Sequence, residues 1–231
     1  MARFNPYFPY EIKSPLQLDK PVLDELVRLF EQPPYDIEDI LAGRAQVVRT
    51  TLDGLGPVVI KYYKRGGMIR RFNESVYVRR GTPRSHHEFE ILQKVRTLGV
   101  SSPEPLVWAT KGGLFYKAFL VTRNIGDHRS LVDICMDTSE ACRSALEKTA
   151  EHMELLIKNH IHHVDLHPGN VLVDNQGSVF IIDFDKAKKS PLPQAKLCRA
   201  YLKRWARAIE KYHLPGIMID VLTEKLQPLL A

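Results

Sequence analysis

His163 to Asp174 reads HVDLHPGNVLVD, and Val179 to Asp185 reads VFIIDFD. Asp165 and Asn170 stand five apart on a loop broken by Pro168 and Gly169, and Asp183 follows thirteen residues later at the end of an apolar strand. A carboxylate, an amide oxygen and a second carboxylate are hard oxygen ligands, of the kind Mg²⁺ takes when substrate phosphates and water complete its octahedron. A charged side chain leaving Phe180-Ile181-Ile182 costs free energy unless a cation or donor receives it, so Asp183 is expected to have a partner. His163 and His167 lie four apart, but no HExxH glutamate accompanies them and Pro168-Gly169 breaks the helix such a zinc site needs.

These residues need elements to hold them. Asp19, Pro21 and the pattern Val22, Leu23, Leu26, Leu29, Phe30 predict a capped amphipathic helix that Pro33-Pro34 ends. Two β-rich runs, Gln46 to Leu52 and Pro57 to Tyr63, flank Asp53-Gly54-Leu55-Gly56 and predict an antiparallel hairpin. Ser85-His86-His87-Glu88 reads as a capping box before Phe89, Ile91, Leu92, Val95 and Leu98, and that helix stops at Gly99. Two further apolar runs, Leu106 to Thr110 and Leu114 to Thr122, are joined by Lys111-Gly112-Gly113. A helix from about Ser139 to Asn159 leads into the His-rich loop, and Val171 to Asp174 pairs with Ser178 to Asp183 across Asn175-Gln176-Gly177. The last 40 residues read as helical. A strand-rich amino-terminal half and a helix-rich carboxy-terminal half make an α+β chain whose two lobes would leave a cleft for a ligand.

With 231 residues, 44% hydrophobic and 26% charged, the composition excludes a disordered chain or a disulfide-stapled miniprotein. The longest apolar runs fall far short of a spanning helix, and the first residues do not resemble a signal peptide, so a cytoplasmic protein is expected. Cys135, Cys142 and Cys198 are an odd number without a CxxC pair and are expected to be free, inert thiols. The net charge of +6 is unevenly placed: Lys61 to Arg84 holds eight basic residues and one acid, and Lys186 to Lys211 holds nine and one. The rest of the chain is acidic, so two basic segments are poised for anions, whether nucleotide phosphates, nucleic acid or an anionic lipid surface.

The HxDLHxxN loop followed by DFD resembles the protein-kinase-like phosphotransferases, and Lys61 in Val58-Val59-Ile60-Lys61 falls where that family keeps its phosphate-binding lysine. By the same resemblance Glu88 is the helix glutamate that orients Lys61, with Glu90 as the fallback. His163 takes the family's structural loop position. The resemblance implies a two-lobed fold, with a strand-rich N-lobe at about 1–122 (including a helical extension, 1–40) and a reduced, mainly helical C-lobe at 123–231. Gly43 alone stands where a protein kinase has a glycine-rich loop, Asp185 replaces the glycine of DFG, and only 48 residues follow Asp183. That is too short for a peptide-binding lobe, so the acceptor is expected to be a sugar or other small molecule.

Within such kinases, YYKRGGMIRRF (Tyr62 to Phe72), GLFYKAFLVTRNI (Gly113 to Ile125), HHVDLHPGN and IIDFD are similar to the bacterial lipopolysaccharide core kinases. The likeness runs from about Gly43 to Asp185. It implies ATP and Mg²⁺ as cofactors, and as acceptor a lipid-linked sugar acid, 3-deoxy-D-manno-octulosonic acid (Kdo), at the cytoplasmic face of the inner membrane. Asp165 would be the catalytic base, Asn170 and Asp183 the metal ligands, and Lys61 and Gly43 contacts to phosphate. Leu120 to Asn124, with Thr122 and Asn124, would lie at the hinge against adenine. Arg65, Arg70, Arg71, Arg79, Arg80 and Arg84 would meet the acceptor head group or lipid surface, with Met68, Ile69 and Phe72 against lipid. Leu197, Tyr201, Leu202, Trp205 and Ile209 fit either a lobe core, the favoured reading, or an interfacial helix. A heptose kinase, an aminoglycoside- or choline-type kinase and a non-catalytic scaffold are the alternatives, while no nucleic-acid-binding module is evident.

Overall fold

The computed structural model describes residues 7–32, 45–63, 77–79, 81–137 and 139–230. The chain divides into two compact units: Met1–Glu90 with Glu104–Asn124, and Ile91–Pro103 with Ile125–Ala231. Gly43 and the basic residues Arg65, Arg70, Arg71 and Arg80 lie outside the described residues, as do Met68, Ile69, Phe72 and the Pro33-Pro34 helix stop.

The elements of the first unit are β1 (Tyr10–Lys13), α1 (Lys20–Glu31), β2 (Ala45–Leu52), β3 (Gly56–Tyr63), β4 (Tyr77–Val78), the start of α2 (Arg84–Thr97), β5 (Pro105–Gly112) and β6 (Phe115–Arg123). The strands form an antiparallel sheet in the order β1-β5-β6-β3-β2, with β4 also against β6. Along β3 the pleat alternates: Val58, Ile60 and Tyr62 are buried with α1 in one core cluster, while Lys61 points to the opposite face. Helix α1 starts as its sequence predicts, with the Asp19 carboxylate accepting from the Val22 N–H at 3.1 Å and Pro21 in the first turn. It buries Leu26, Leu29 and Phe30 on the sheet, where the Phe30 ring stacks on Phe119 with centroids 4.4 Å apart. The Tyr62 hydroxyl donates to the Leu29 carbonyl at 2.8 Å. The amino-terminal helix is thus one wall of this core.

Helix α2 corrects the capping-box reading. Its first helical bond runs from the His87 N–H to the Pro83 carbonyl at 2.9 Å, so Ser85 already lies inside the first turn. The Ser85 hydroxyl donates instead to the Ala109 carbonyl, and Glu88 turns to the sheet rather than back to the helix start. Pro83, whose ring fixes its φ ahead of the turn, explains the earlier start.

The second unit holds β7 (His128–Ser130), α3 (Leu131–Asp137), α4 (Ser139–Lys158), β8 (Ile161–His162), β9 (Val171–Asp174), β10 (Val179–Ile181), β11 (Lys188–Lys189), α5 (Gln194–Tyr212) and α6 (Ile217–Leu226). Helix α4 buries Leu146, Met153, Leu156 and Ile157 and packs against α3, α6 and β10. Small sheets β10-β9-β7 and β11-β8 carry the loops. On α5, Leu197, Tyr201 and Trp205 are fully buried, the Trp205 indole donating to the Met218 carbonyl and the Tyr201 hydroxyl to the Ile161 carbonyl, each at 2.8 Å. Those three side chains belong to the core and not to a lipid face.

The cysteine expectation is overturned. Cys135 in the last turn of α3 and Cys142 in the first turn of α4 form a disulfide with Cα atoms 4.6 Å apart, where the two helices pack against each other. Cys198 keeps a buried thiol.

Candidate active site

Strand β3 and helix α2 bring Lys61 and Glu88 together. The Lys61 ammonium lies 3.0 and 2.9 Å from the two Glu88 carboxylate oxygens, with side chains 15% and 3% exposed. The Tyr63 hydroxyl, from the same face of β3, donates to Glu88 Oε2, and the Lys61 ammonium sits 5.1 Å from the centre of the Tyr63 ring. A buried ion pair with both oxygens engaged is a costly arrangement to desolvate, and here it fixes the position of one ammonium on a sheet face. Glu90, the fallback partner, lies instead beside His86 at 3.4 Å.

Register places Thr122 on that same face, because Val59 pairs with Thr122 and Lys61 with Leu120 across β3 and β6. Thr122 is buried. Asn124 donates its backbone N–H to the Pro57 carbonyl at 3.1 Å, and its side-chain Oδ1 is buried without a hydrogen-bond partner among the described residues.

In the second unit Asp165, Asn170 and Asp183 sit on two stitched segments. A single 3-10 turn, Pro168–Asn170, starts at His167, whose Nδ1 accepts from the Gly169 N–H at 3.1 Å. The Asn170 side-chain amide donates to the Asp165 carbonyl at 3.0 Å, which leaves its oxygen as the atom to offer a ligand. Its backbone carbonyl accepts from the Ile182 N–H at 3.0 Å, so Asn170 is fixed beside the residue preceding Asp183. The His163 ring, 1% exposed, donates through Nε2 to the Ile182 carbonyl at 3.0 Å and lies edge-on to Phe184. Burial pushes the His163 pKa down to about 4, so the ring is a neutral strut. Asp183 takes a left-handed backbone, φ +62°, uncommon outside glycine and asparagine-like residues. An amide oxygen and an exposed carboxylate on segments joined by backbone bonds fit a Mg²⁺ ion that draws its other ligands from phosphate and water.

The motifs gave no sign of what holds Asp165. Arg204 of α5 donates from Nε and Nη2 to Oδ1 at 3.1 and 2.8 Å, and Lys186 donates to Oδ2 at 3.1 Å. Burial alone would raise the Asp165 pKa, but hydrogen bonds from Arg204 and Lys186 outweigh it and bring the group down to about 2. The sequence signal was the basic run of α5, which was read as a surface for anions. Of the described acceptor candidates, Arg84 bonds the Tyr77 hydroxyl at 2.8 Å and lies over the Tyr63 and Tyr77 rings. Arg79 bonds Thr110 at 3.2 Å, lies 3.5 Å from Glu11 and packs on the Tyr116 ring.

A sheet lysine paired with a helix glutamate, and an HxDxxxxN loop ahead of a DFD carboxylate, define an α+β protein of the protein-kinase-like phosphotransferase class. The chain belongs to the lipopolysaccharide kinase (Kdo/WaaP) family, whose profile matches residues 42–216. It is 32% identical over 155 residues to the 3-deoxy-D-manno-octulosonic acid kinase of Vibrio cholerae serotype O1, covering 66% of this chain and 65% of that protein. The protein of the same name from Vibrio parahaemolyticus is 28% identical over 200 residues, 81% of this chain and 82% of its own length. That of Vibrio vulnificus is 32% identical over 164 residues, 68% and 69%.

Proposed function

We infer that this protein transfers the γ-phosphoryl group of ATP to a hydroxyl of Kdo in a lipopolysaccharide inner-core or lipid A precursor. The observation that carries the reading is the buried Lys61–Glu88 pair, which holds one ammonium on a sheet face where α/β-phosphates need a counter-charge. Thr122 and Asn124 line the nucleotide's side of that unit, and the buried, unpartnered Asn124 oxygen suits a donor such as an adenine amine. Asn170 and Asp183 would hold Mg²⁺, which when bound neutralises charge on the phosphates. Asp165 takes the proton of the acceptor hydroxyl as its oxygen bonds to the γ-phosphorus and the bond to the β–γ bridging oxygen breaks, releasing ADP. His163 and Asn170 keep the loop in register for that step.

The chain acts as a single kinase-like domain over 1–231, peripheral to the cytoplasmic face of the inner membrane. Among the described residues no helix is long and apolar enough to cross a membrane. The basic segments, including Arg65, Arg70, Arg71, Arg79, Arg80 and Arg84, supply attraction to anionic lipid and head group, about 1 kcal/mol for each cation near the surface. The test is ATP-dependent phosphate transfer to a Kdo-bearing lipid A precursor by the wild type and by Asp165→Ala. Turnover is expected to fall by about 10²- to 10⁴-fold in the variant while Mg²⁺-ATP binding persists. Undiminished transfer by Asp165→Ala would remove the base assignment, and transfer only to soluble aminoglycosides or choline would replace the acceptor.

A further inference from the structure

Arg204 and Lys186 together place two positive charges on one carboxylate, and both belong to the same unit as Asp165. Arg204 spans a single oxygen with two of its N–H groups, and a guanidinium has more donors than that contact uses. Its side chain is 24% exposed, against 48% for Lys186 and 34% for Asp165, so the cluster faces a space that a ligand can enter. Arg204, Arg207 and Lys211 recur at i, i+3 and i+7 on α5, one side of the helix. The charges of Arg204 and Lys211 reach the His167 ring beside the loop, as do those of Asp165 and Asp183. Asp165 thus has two cationic partners for its one charge, and a neutral sugar arriving there leaves that excess on the contact in place. An acceptor with its own carboxylate completes the neutralisation.

We propose that Arg204 is the specificity-determining residue for an acidic acceptor, sharing its planar fork between Asp165 and the carboxylate of an incoming sugar acid, so that a hydroxyl of that sugar is brought onto Asp165. Arginine suits this role because its fork matches two carboxylates geometrically, whereas the Lys186 ammonium offers a point charge. Lys186 keeps Asp165 oriented while Arg204 is shared. This inference rests on the Kdo kinase reading and names the group on the acceptor that the site reads.

The experiment compares kcat/KM for a Kdo-bearing lipid A precursor and for its methyl ester, in which the sugar carboxylate is capped and all phosphates remain. The wild type is expected to prefer the acid by about 10- to 100-fold, the range of a charged hydrogen-bonded contact. In Arg204→Gln both acceptors are expected to slow because Asp165 loses two of its hydrogen bonds, but the acid also loses its carboxylate contact, so the preference collapses to less than about threefold, and Mg²⁺-ATP binding measured on the same samples reports on the fold. If Arg204→Gln slows both acceptors equally and the preference survives, Arg204 only positions Asp165 and the proposal is overturned. Should Arg204→Gln melt below the assay temperature, Arg204→Lys serves instead: a reduced preference supports the proposal and a full one overturns it. A wild type that binds Mg²⁺-ATP but phosphorylates neither acceptor overturns the functional reading itself, a result distinct from retained preference.

Discussion

Replacing Glu88 by Gln changes one charge inside the first unit and almost no volume. The carboxylate it removes is 3% exposed and takes two bonds from Lys61 and one from Tyr63, so the variant takes from an ammonium only 15% exposed the carboxylate that engages it with both oxygens. Breaking a buried pair costs about 3–5 kcal/mol, and because the Gln oxygen still accepts from Lys61 or Tyr63 we take the low end, about 3 kcal/mol. For a chain of this size that is a fall in Tm of roughly 6–12 °C. Lys61→Met keeps the aliphatic stem and removes the other charge, and in Lys61→Met/Glu88→Gln both charges of the pair are gone. The double variant should therefore be more stable than the two single losses predict, by about 2 kcal/mol. Urea denaturation of the four proteins closes the cycle, and the KM for ATP, read on the single variants, should rise in both. Single losses that add within about 0.5 kcal/mol would refute the ion pair as an energetic unit.

Two further outcomes follow from the second unit. His152 of α4 is half-buried, donates to the Val179 carbonyl at 3.1 Å, and has its pKa lowered by burial against the opposing pull of that bond and of Glu151. The unfolded chain then binds the proton more readily, so stability is full above about pH 6.5 and is lost as pH falls below it. The urea midpoint should drop less between pH 7.5 and pH 5 in His152→Gln than in the wild type, and an unchanged drop counts against this origin. Thiol titration in denaturant without reductant should report one reactive group, Cys198, and three after reduction. Closing so short a loop is worth about 2.5 kcal/mol, and a Cys135→Ala/Cys142→Ala protein with an unaltered Tm would contradict it.

Local signals in the sequence were enough for much of this fold. Asp19, Pro21 and the spacing of Val22, Leu26, Leu29 and Phe30 specify α1, and the Gly54 turn between two apolar runs specifies the β2–β3 hairpin. The edge strand Tyr10–Lys13 was not legible, since the alternation of Tyr10, Glu11, Ile12 and Lys13 spans only four residues, and so short a run is held as a strand by the partner it pairs with in β5. Ser85 looked like a cap because cap preferences are strong, yet a preceding proline set the helix start. The disulfide was hidden by a spacing that means nothing until the ends of two helices are packed side by side. In the site, the loop HxDxxxxN and the strand lysine are short-range patterns. The partners of Asp165 stand 21 and 39 residues downstream, where only the tertiary packing of α5 brings Arg204 to the loop.

The left-handed backbone of Asp183 changes how a silenced form of this protein is chosen. Alanine at φ +62° pays roughly 1–2 kcal/mol that aspartate and asparagine largely avoid by bonding locally. An Ala control there mixes a lost carboxylate with a reshaped turn between Ile182 and Phe184, the two residues that His163 grips. Asparagine keeps the turn and subtracts only the charge, and so gives the cleaner blank for any assay of this loop.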